Sequence, residues 1–510
     1  MTKALGIDLG TTFSVVAVVG AGGSPEILRN REGENITPSV VLFQGDDVLV
    51  GSTAKRSVTT MPDECVQFIK RQMGDPHWKF VDSRGFEFRP EEISALILRR
   101  LVDDAEMVLG ESIEDVVVTV PAYFDDARRK STLDAGEIAG LRVLRLINEP
   151  TAAAVAYGVD EIERGTCLVF DLGGGTFDVT VMNVASGEFE VIATDGDRNL
   201  GGFDFDNELM KHVANAVLAD GGPDLLDGGA LESDLREKCE LAKRTLSNVP
   251  QASVFVSAEG RSHRVQVTGA EFEEMTRHLL DRTEMTVEAV LAESGLGWDS
   301  VDRILLVGGS TRMPMVAKML ERLSGKPAES RINPDEAVAL GSAIVADLTA
   351  RELLGSPSSS GTPSGPDPVS ITDVTSQSLG VLAVQAGTEN LLNHIVIAKN
   401  SKIPCKRVQK FQTLQENQRE WLLQVTEGDD PDPEYVTRLL QRPLTLPENL
   451  PKGSPMQVTM SYDVDGVVHV EITDLTTNTS LGEVELDRPL NLDRSDVDRM
   501  RAAMNELDVQ

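Results

Sequence analysis

The chain has 510 residues, with 48 Lys and Arg against 82 Asp and Glu, so its formal net charge is −34. At about 150 residues per domain, this length allows about three domains. A hydrophobic fraction of 41% with 25% charged residues is typical of folded globular protein. The acidic excess argues against a nucleic-acid partner and against binding to anionic membranes, because both depend on Lys and Arg.

Neither the cysteines nor the N-terminal residues indicate a secreted, zinc-binding or membrane protein. The four cysteines are far apart in the sequence and form no CxxC pair, which favours reduced thiols over disulfides or zinc. Asp8 interrupts the apolar residues at the N-terminus, and no run approaches about 18 apolar residues. We therefore expect a soluble, cytoplasmic protein with no signal peptide and no membrane-spanning helix.

In chain order, the first 354 residues alternate short β-branched runs with stretches of helical periodicity. The pattern predicts strands at 4–9, 14–19, 116–120, 166–170, 179–184 and 303–307, and helices at 91–109, 231–247 and 271–294. Alternation of this kind predicts an α/β domain over 1–354, in which helices pack on sheets.

Residues 355–368 differ from the rest in composition, since 12 of these 14 residues are Gly, Ser or Pro. A stretch with so little apolar surface cannot offset its ordering entropy, which predicts a flexible linker. Beyond it, apolar residues alternate at period two at 394–398, 420–425, 456–462 and 467–472. This alternation predicts an all-β domain over 369–490.

Two further local patterns in the C-terminal part predict a hairpin turn and a short helix. Asp465 and Gly466 stand between the last two alternating runs, and Asp-Gly favours a tight hairpin turn. Residues 492–509 carry apolar side chains at helical spacing, which predicts one short helix within 491–510.

Two predicted strand ends repeat the same glycine-rich pattern. Residues 6–14 read GIDLGTTFS, residues 169–178 read VFDLGGGTFD, and LVGGSTR at 306–312 adds a third glycine turn. Glycine lets backbone N–H groups approach a phosphate, and the carboxylates of Asp8 and Asp171 suit a hydrated divalent cation. Each turn alone is most simply a strand end, whereas three in one chain favour a nucleotide site. The sequence has no rival GxxxxGK[ST] loop and no GxGxxG loop that opens a helix.

A series of motifs resembles the Hsp70 chaperone family in order and spacing. They are GIDLGTT, FIKRQMG (68–74), TVPAYFDDARR (119–129), INEPTAAAVAYG (147–158), DLGGGTFDV, NLGGFDFD (199–206), LAKRTLS (241–247), LVGGSTRMPMV (306–316) and NPDEAVALGSA (333–343). The resemblance implies an α/β, actin-like, two-lobed ATPase domain, followed by an all-β sandwich domain and one short C-terminal helix. In the family a longer helical lid follows the sandwich, so we expect 491–510 to be its remnant.

The resemblance also implies catalytic roles for individual residues. Lys70 matches the family's catalytic lysine, and Glu149, Asp171 and Thr176 match the groups that position the attacking water and the γ-phosphate. Asp8 and Asp171 match the acids that hold the water shell of Mg²⁺. Without the resemblance, Lys70 would be read as a surface lysine and Glu149 as a loop acid.

The remaining matched positions would bind the nucleotide. Four of them, between 240 and 247, lie along one side of a predicted helix; such a face is usually solvated, and only the resemblance assigns it to adenosine. The implied nucleotide-binding residues are Thr11, Thr12, Gly173, Gly174, Gly175, Gly201, Gly202, Glu240, Lys243, Arg244, Ser247, Gly308, Gly309, Ser310, Arg312 and Asp335.

The resemblance further implies cofactors and partners. The cofactors are ATP or ADP with Mg²⁺, and the family also admits K⁺. The partners are unfolded or partly folded polypeptide, a J-domain cochaperone and a nucleotide exchange factor, with no nucleic acid and no membrane. The implied role is in protein folding and the stress response.

Two features of the C-terminal part depart from the family pattern. The family's interdomain linker is leucine-rich, whereas here residues 369–372 read VSIT and offer half of the aliphatic contacts. Trp421 falls where a small aliphatic residue lines the family's central peptide pocket. Its indole would either fill that pocket or belong to the core in a shifted register.

Three functions are consistent with these observations. The first is a chaperone that binds and slowly hydrolyses ATP and whose β domain binds polypeptide. The second is an ATP-binding scaffold or adaptor of Hsp70 type that does not cycle on peptide clients. The third, a small-molecule kinase, would need an additional acid to deprotonate a substrate hydroxyl, and the sequence offers none outside the matched positions.

Overall fold

The computed structural model describes residues 3–158, 164–329, 331–353, 369–385, 388, 390–485, 492–505 and 507–510. The predicted linker at 355–368 lies outside the described residues. The chain forms two compact units. The first contains Met1–Ala122, Ser131–Ile371 and Asp493–Gln510, and the second contains Tyr123–Lys130 and Thr372–Leu492. The chain therefore passes into the second unit briefly at Tyr123–Lys130, leaves the first unit again after Ile371 and re-enters it at Asp493.

The α-helices of the described residues lie mostly in the first unit. They are α1 (Ser52–Ser57), α2 (Pro90–Leu109), α3 (Asp126–Ile138), α4 (Glu149–Gly158), α5 (Gly202–Ala219), α6 (Gly229–Leu246), α7 (Gly269–Met275), α8 (Arg277–Ser294), α9 (Pro314–Ser324), α10 (Ala337–Leu353) and α11 (Arg494–Met504).

The strands are numbered along the chain in the same way. Those up to the end of the first pass through the first unit are β1 (Leu5–Asp8), β2 (Phe13–Val19), β3 (Pro25–Leu28), β4 (Thr37–Pro38), β5 (Val40–Gln44), β6 (Asp47–Val50), β7 (Cys65–Gln67), β8 (Phe80–Val81), β9 (Glu87–Phe88), β10 (Asp115–Val120), β11 (Arg142–Asn148), β12 (Arg164–Leu172), β13 (Phe177–Ala185), β14 (Glu188–Asp197), β15 (Gln251–Ala258), β16 (Arg261–Thr268), β17 (Arg303–Val307) and β18 (Ser370–Thr372). The later strands are β19 (Leu379–Val384), β20 (Leu391–Ile397), β21 (Cys405–Gln412), β22 (Glu420–Glu427), β23 (Thr437–Thr445), β24 (Pro455–Tyr462), β25 (Val468–Asp474), β26 (Thr479–Glu485) and β27 (Asp508–Val509).

The two largest sheets of the first unit repeat one another. The first has the order β11-β10-β1-β2-β3, with β4 paired to β2, and the second has the order β17-β12-β13-β14-β18. In each, the strand that ends in Asp-Leu-Gly pairs in parallel with one neighbour and antiparallel with the strand that follows it in the chain. The six strands predicted within 1–354 are confirmed as β1, β2, β10, β12, β13 and β17.

Glycine allows two helices to pack directly on the first sheet. A Cβ atom on Gly6 of β1 would overlap the backbone of Ala343 in α10, and one on Gly341 of α10 would overlap the backbone of Ala152 in α4. Both helices therefore lie closer to their neighbours than any larger residue would permit. This packing fixes the end of β1, where the first glycine turn begins.

A smaller sheet of the first unit has the order β27-β6-β5-β7. β5 pairs antiparallel with β6 and with β7, and β27 pairs in parallel with β6. β6 continues through Gly51 into α1, and β7 continues into a 3₁₀ turn at Ile69–Gln72. The sheet therefore supports α1 and this 3₁₀ turn, and both elements carry residues of the candidate site described below.

The segment that matches the family's linker is partly described. Ser370 donates its backbone N–H to the carbonyl of Gly187 at 2.9 Å, and β18 forms the edge of the second large sheet. These backbone contacts belong to the first unit and do not require the leucine side chains that the segment lacks.

The second unit contains two four-stranded sheets, with the orders β20-β19-β22-β23 and β21-β24-β25-β26. One apolar cluster fills its core and includes Leu379, Val381, Leu423, Val458 and Val470. β24 and β25 pair antiparallel, and Gly466 in their turn has a φ of 75°, so the predicted hairpin is confirmed. The all-β character predicted for this part of the chain follows from its alternating runs.

Two helix predictions are wrong in their extent. The predicted helix 271–294 is divided into α7 and α8 at Thr276, whose Oγ1 donates to the carbonyl of Phe272 at 2.7 Å. The predicted helix 492–509 ends at Met504, and Asp508–Val509 forms β27 instead. In both places backbone or side-chain hydrogen bonds outweigh the apolar periodicity.

Candidate active site

A cavity of about 1000 Å³ lies in the first unit where β1 and β12 end. It is lined by every residue predicted to bind nucleotide, bind metal or catalyse, except Gly175 and Gly201. These two glycines lie behind the wall, since a Cβ atom on Gly201 would be 2.5 Å from the backbone nitrogen of Gly175. The fold therefore brings residues as far apart in the sequence as Asp8 and Asp335 together around one cavity.

The two Asp-Leu-Gly turns meet in this cavity. A Cβ atom on Gly174 would collide with the side chain of Thr12, and one on Gly175 would lie 2.5 Å from Cγ2 of Thr11. Gly173 closes the second turn by donating its N–H to the carbonyl of Thr176 at 3.0 Å. A side chain at Gly174 or Gly175 would overlap the threonines, so glycine at these two positions lets the two turns pack closely.

The third glycine turn packs against the second. Gly308 has a φ of 81°, and a Cβ atom there would lie 2.5 Å from the carbonyl oxygen of Leu172. Ser310 Oγ donates to the carbonyl of Gly173 at 2.8 Å. On the same wall, Arg312 pairs with Asp335 at 2.8 Å, and both side chains are partly open to solvent.

The buried Glu149, Asp171 and Lys70 and the partly buried Asp8 occupy the floor of the cavity. Lys70 Nζ forms an ion pair with Glu149 Oε1. Burial alone would lower the pKa of Lys70, but the charges of Glu149 and Asp8 outweigh it and raise that pKa. Burial and repulsion by Glu149 raise the pKa of Asp8 to about 7, although Lys70 and a hydrogen bond from Thr119 oppose this.

Asp171 has more acidic neighbours than Asp8. Its pKa is raised well above the ordinary value by burial and then by the charges of Glu149, Asp178 and Asp8. Asp178 is its direct partner across the β12–β13 pair. The floor therefore concentrates negative charge, and a bound cation would lower its energy.

Local structure explains how Lys70 and Glu149 reach the floor. Phe68 has a left-handed backbone with a φ of 59°, which costs about 1–3 kcal/mol for a residue other than glycine. It turns the chain into the 3₁₀ segment that holds Lys70, and its ring packs 4.7 Å from that of Phe203. Glu149 begins α4, where the positive end of the helix dipole favours a carboxylate.

The four residues predicted on one helical face do line one wall. Lys243 Nζ donates to Asp206 Oδ2 at 2.8 Å, and Arg244 Nη2 donates to Glu240 Oε1 at 2.6 Å. Ser247 follows α6 as its cap residue and donates its Oγ to the carbonyl of Lys243 at 3.2 Å. This wall offers charged and hydroxyl groups to a polar ligand.

Several residues of the site were not found by sequence reasoning. Lys55 Nζ lies 3.1 Å from Glu240 Oε2 and 4.6 Å above the ring of Phe13. Arg71 lies 4.7 Å above the ring of Phe203. Phe13 lies in the GIDLGTTFS stretch and Phe203 in the NLGGFDFD motif, whereas no sequence pattern near Lys55 or Arg71 indicates their contacts.

Asp206 also belongs to the site. It stands at the end of the NLGGFDFD motif, which is the one sequence signal that points to it. Burial raises its pKa, although Lys243 opposes this, and its Oδ1 is buried without a hydrogen-bond partner. An unsatisfied buried acceptor beside the cavity is suited to a donor group of a ligand.

The residues present fit a hydrated divalent cation. Among the described residues, no three His, Cys, Asp or Glu side chains gather to coordinate a metal directly. Asp8 and Asp171 nevertheless lie beside a bare glycine turn, and burial and neighbouring acids raise the pKa of both more than Lys70 lowers it. Carboxylate oxygens and water are the ligands that Mg²⁺ prefers.

A glycine cradle beside buried carboxylates and a lysine is an arrangement typical of phosphate-binding sites in nucleotide-binding proteins. The model of the family described as "Hsp70 protein" matches residues 4–510. The chain is also 41% identical, over 480 residues, to the Chaperone protein DnaK of Mycoplasmopsis synoviae, covering 93% of this chain and 77% of that relative. The chain therefore belongs to the Hsp70 family and is an Hsp70-type chaperone with ATPase activity.

No helix among the described residues has both the length and the apolar character needed to cross a membrane.

Proposed function

We propose that the cavity of the first unit binds ATP with Mg²⁺ and hydrolyses it, and that the first unit is the actin-like, two-lobed ATPase domain of the family. The observation that carries this proposal is the meeting of the two Asp-Leu-Gly turns above Lys70 and three carboxylates. In this proposal the second unit is the family's β-sandwich, and residues 355–368 link the two.

The glycine turns would bind the phosphates. Gly173 and Gly174 line the same cavity as Thr11 and Thr12, and the N–H of Gly174 and the two threonine hydroxyls would donate to the phosphates. Glycine keeps that backbone accessible, and N–H groups stabilise negative charge without a side chain. The α6 wall and Arg312 would bind the adenosine part, where Asp206 offers its free Oδ1 as an acceptor.

Asp8 and Asp171 would hold the Mg²⁺ with its water shell. When bound, the cation would neutralise charge on the phosphates and on the carboxylates around it. K⁺ remains an expectation from the family resemblance.

Hydrolysis follows from the groups around the floor. Glu149, Asp171 and Thr176 would orient a water molecule in line with the bond between the γ-phosphorus and the bridging oxygen. The water oxygen bonds to phosphorus, the bridging bond breaks to release ADP, and both protons of the water leave with the phosphate product as H₂PO₄⁻. Lys70 would stabilise the charge on the transferring group, because it is held at that point as a cation by Glu149.

The test of this site separates binding from chemistry. We would measure Mg·ATP affinity by calorimetry and phosphate release in wild type and in Glu149→Gln. We expect the variant to bind ATP and to release phosphate at least about 100-fold more slowly. Absence of ATP binding by the wild-type protein would refute the proposed site, and an unchanged rate in the variant would refute the role of Glu149.

Polypeptide binding is proposed for the second unit, with one observation that favours the scaffold alternative. Trp421 is half-buried on β22, 5.9 Å from the ring of Phe411 between centroids, and it packs against the core cluster and against Leu446, Leu450 and Met456. The indole thus fills space from within the unit, which leaves less room for a client side chain.

A fluorescent extended peptide distinguishes the two functions. Affinity that changes on adding ATP supports a cycling chaperone, whereas no affinity in either nucleotide state supports a scaffold. Trp421→Val is expected to strengthen peptide binding if the indole fills the pocket, with Leu422→Val as an exposed neighbouring control. A J-domain cochaperone, a nucleotide exchange factor and a cytoplasmic location are carried over from the family as part of this proposal.

A further inference from the structure

The segment Asp493–Gln510, which we call the strap, lies on the first unit. It contains α11 and β27, and its apolar side chains Val497, Met500, Met504 and Val509 are all buried. Arg99 Nη1 donates to the carbonyl of Met504 at 2.8 Å. The strap is therefore packed as part of this unit rather than lying loosely on its surface.

The final residues of the strap complete the edge of β6. Gln510 donates its N–H to the carbonyl of Val48 at 2.8 Å and accepts from the N–H of Val50 at 2.9 Å. Val509 is directly paired with Val48 in the parallel register. Without the strap, these backbone groups would form an open strand edge, which is a template for another strand.

A single residue separates β6 from α1, the helix whose Lys55 lines the cavity. Gly51, with a φ of 96°, is the N-cap of α1, and its N–H donates to the carbonyl of Val40. α1 carries Lys55, which reaches Glu240 on the opposite wall. A displacement of β6 would therefore move Lys55 directly.

Val50 is held from both sides. Its N–H is bound by the strap, and its carbonyl accepts from Nη1 of the fully buried Arg100 at 2.7 Å. Arg100 is itself fixed by ion pairs with Asp104 and Glu32. β6 also pairs with β5, so Arg100 and β5 hold it from within the unit, and the strap supports its other edge.

We propose that the edge of β6 is a strand-docking surface whose occupant is the segment 507–510 of this chain, and that its occupancy slows release of nucleotide from the cavity. This rests on the proposed nucleotide site. Strand pairing holds β6, β6 holds α1, and α1 holds Lys55 across the opening. Loss of the pairing removes backbone hydrogen bonds and frees that side of the cavity to open.

The experiment measures nucleotide release and strand pairing in the same full-length proteins. The variants are Gln510→Pro, which removes the N–H donor, and Val509→Asp, which places a carboxylate at a buried position. Ala502→Asp, at an exposed position of α11, is the matched control. Release of Mg·ADP that carries a fluorescent group on its ribose is followed by stopped flow, and the amide of Val50 is followed by hydrogen exchange.

We expect both strap variants to lose protection at Val50 and to release ADP at least about threefold faster, while the control behaves as wild type. Lost protection with an unchanged release rate would overturn the proposal, and so would full protection of Val50 in Gln510→Pro. If wild type binds no ADP, the proposed nucleotide site fails as well. Binding without a change in release contradicts the strap alone.

Discussion

The two Asp-Leu-Gly turns occupy equivalent places in two similar sheets but present different atoms to the cavity. The turn after β1 carries the side chains of Thr11 and Thr12, whereas the turn after β12 carries three successive glycines. Each of the last two glycines lies against one of the threonines. The two turns therefore differ in sequence where they meet, because the threonine side chains of the first turn occupy the space that the glycines of the second leave open.

The carboxylates behind the two turns differ in the same way. Asp8 has a hydrogen bond from Thr119, whereas Asp171 faces a further acid, Asp178. Both have a raised pKa, and burial is the largest cause for each. The first turn therefore combines hydroxyl groups with a carboxylate that accepts a hydrogen bond, and the second combines bare backbone with a carboxylate that has more acidic neighbours.

Asp8→Asn should have the largest effect, on stability. Because burial raises the pKa of Asp8 from 3.8 to about 7, the folded protein binds this proton more tightly than the unfolded chain. Stability therefore falls as the pH rises from about 4 to about 7. Denaturant unfolding of metal-free and nucleotide-free protein should show the variant more stable than wild type at pH 8 by up to about 4 kcal/mol, with little difference at pH 4.

The exposed Asp46 supplies the control, since Asp46→Asn should show no such gain. Asp171→Asn should gain stability in the same direction, because its pKa is also raised. Equal stability of wild type and Asp8→Asn at pH 8 would mean that Asp8 does not carry a buried charge.

Lys70→Ala should have the next largest effect, on catalysis. It removes the cation that balances Glu149 and faces both turns. We expect kcat for ATP hydrolysis to fall by about 100-fold to 1000-fold, with ATP affinity measured separately by calorimetry. Lys79→Ala removes a lysine from an exposed ion pair and should leave the rate unchanged. A wild-type rate in Lys70→Ala would exclude a catalytic role.

Gly174→Ala tests the fit between the turns directly. The added methyl group would collide with Thr12, and overpacking of this kind costs about 1–3 kcal/mol. We expect ATP affinity to fall by roughly tenfold to 100-fold, and the double variant Gly174→Ala with Thr12→Ala to recover part of it. Gly22→Ala, where nothing lies within 4 Å, is the control; failure of the double variant to recover would argue against the steric explanation.

Arg71→Lys should have the smallest effect. The guanidinium of Arg71 donates from Nε and Nη2 to the carbonyl of Gly175, at 3.0 and 2.9 Å, and so ties the 3₁₀ turn to the second glycine turn. Lysine keeps the positive charge but cannot donate from two nitrogens as the guanidinium does. We therefore expect ATP binding to be about threefold to tenfold weaker. Arg56→Lys, on an exposed face of α1, should bind ATP as wild type does.

The sequence predicted what depends on local patterns and missed what depends on distant contacts. The strands before the glycine turns and the hairpin at Gly466 follow from residues next to one another. The pairing of Lys55 with Glu240 and the grip of Arg71 on Gly175 join positions far apart in the chain. No periodicity or spacing in the sequence near Lys55 or Arg71 could have predicted these two contacts.

The strap is a second place where a contact with a distant residue determines the structure and the local sequence pattern does not. Apolar spacing in 492–509 predicts one continuous helix, and α11 does form over most of it. The last residues leave the helix because the edge of β6 offers them backbone partners. Local helical periodicity was outweighed by a strand about 460 positions earlier in the chain.

The path of the chain makes the second unit an insertion within the first. After a single proteolytic cut in 355–368, the peptide bond between Leu492 and Asp493 still joins Thr372–Leu492 to the strap, and the pairing of the strap with β6 still holds them to the first unit. A unit attached at both ends cannot diffuse away, and each attachment keeps its local concentration near its partner high. Separation of Thr372–Leu492 from the first unit therefore requires a second event, which is either a cut near Leu492 or release of the strap from β6.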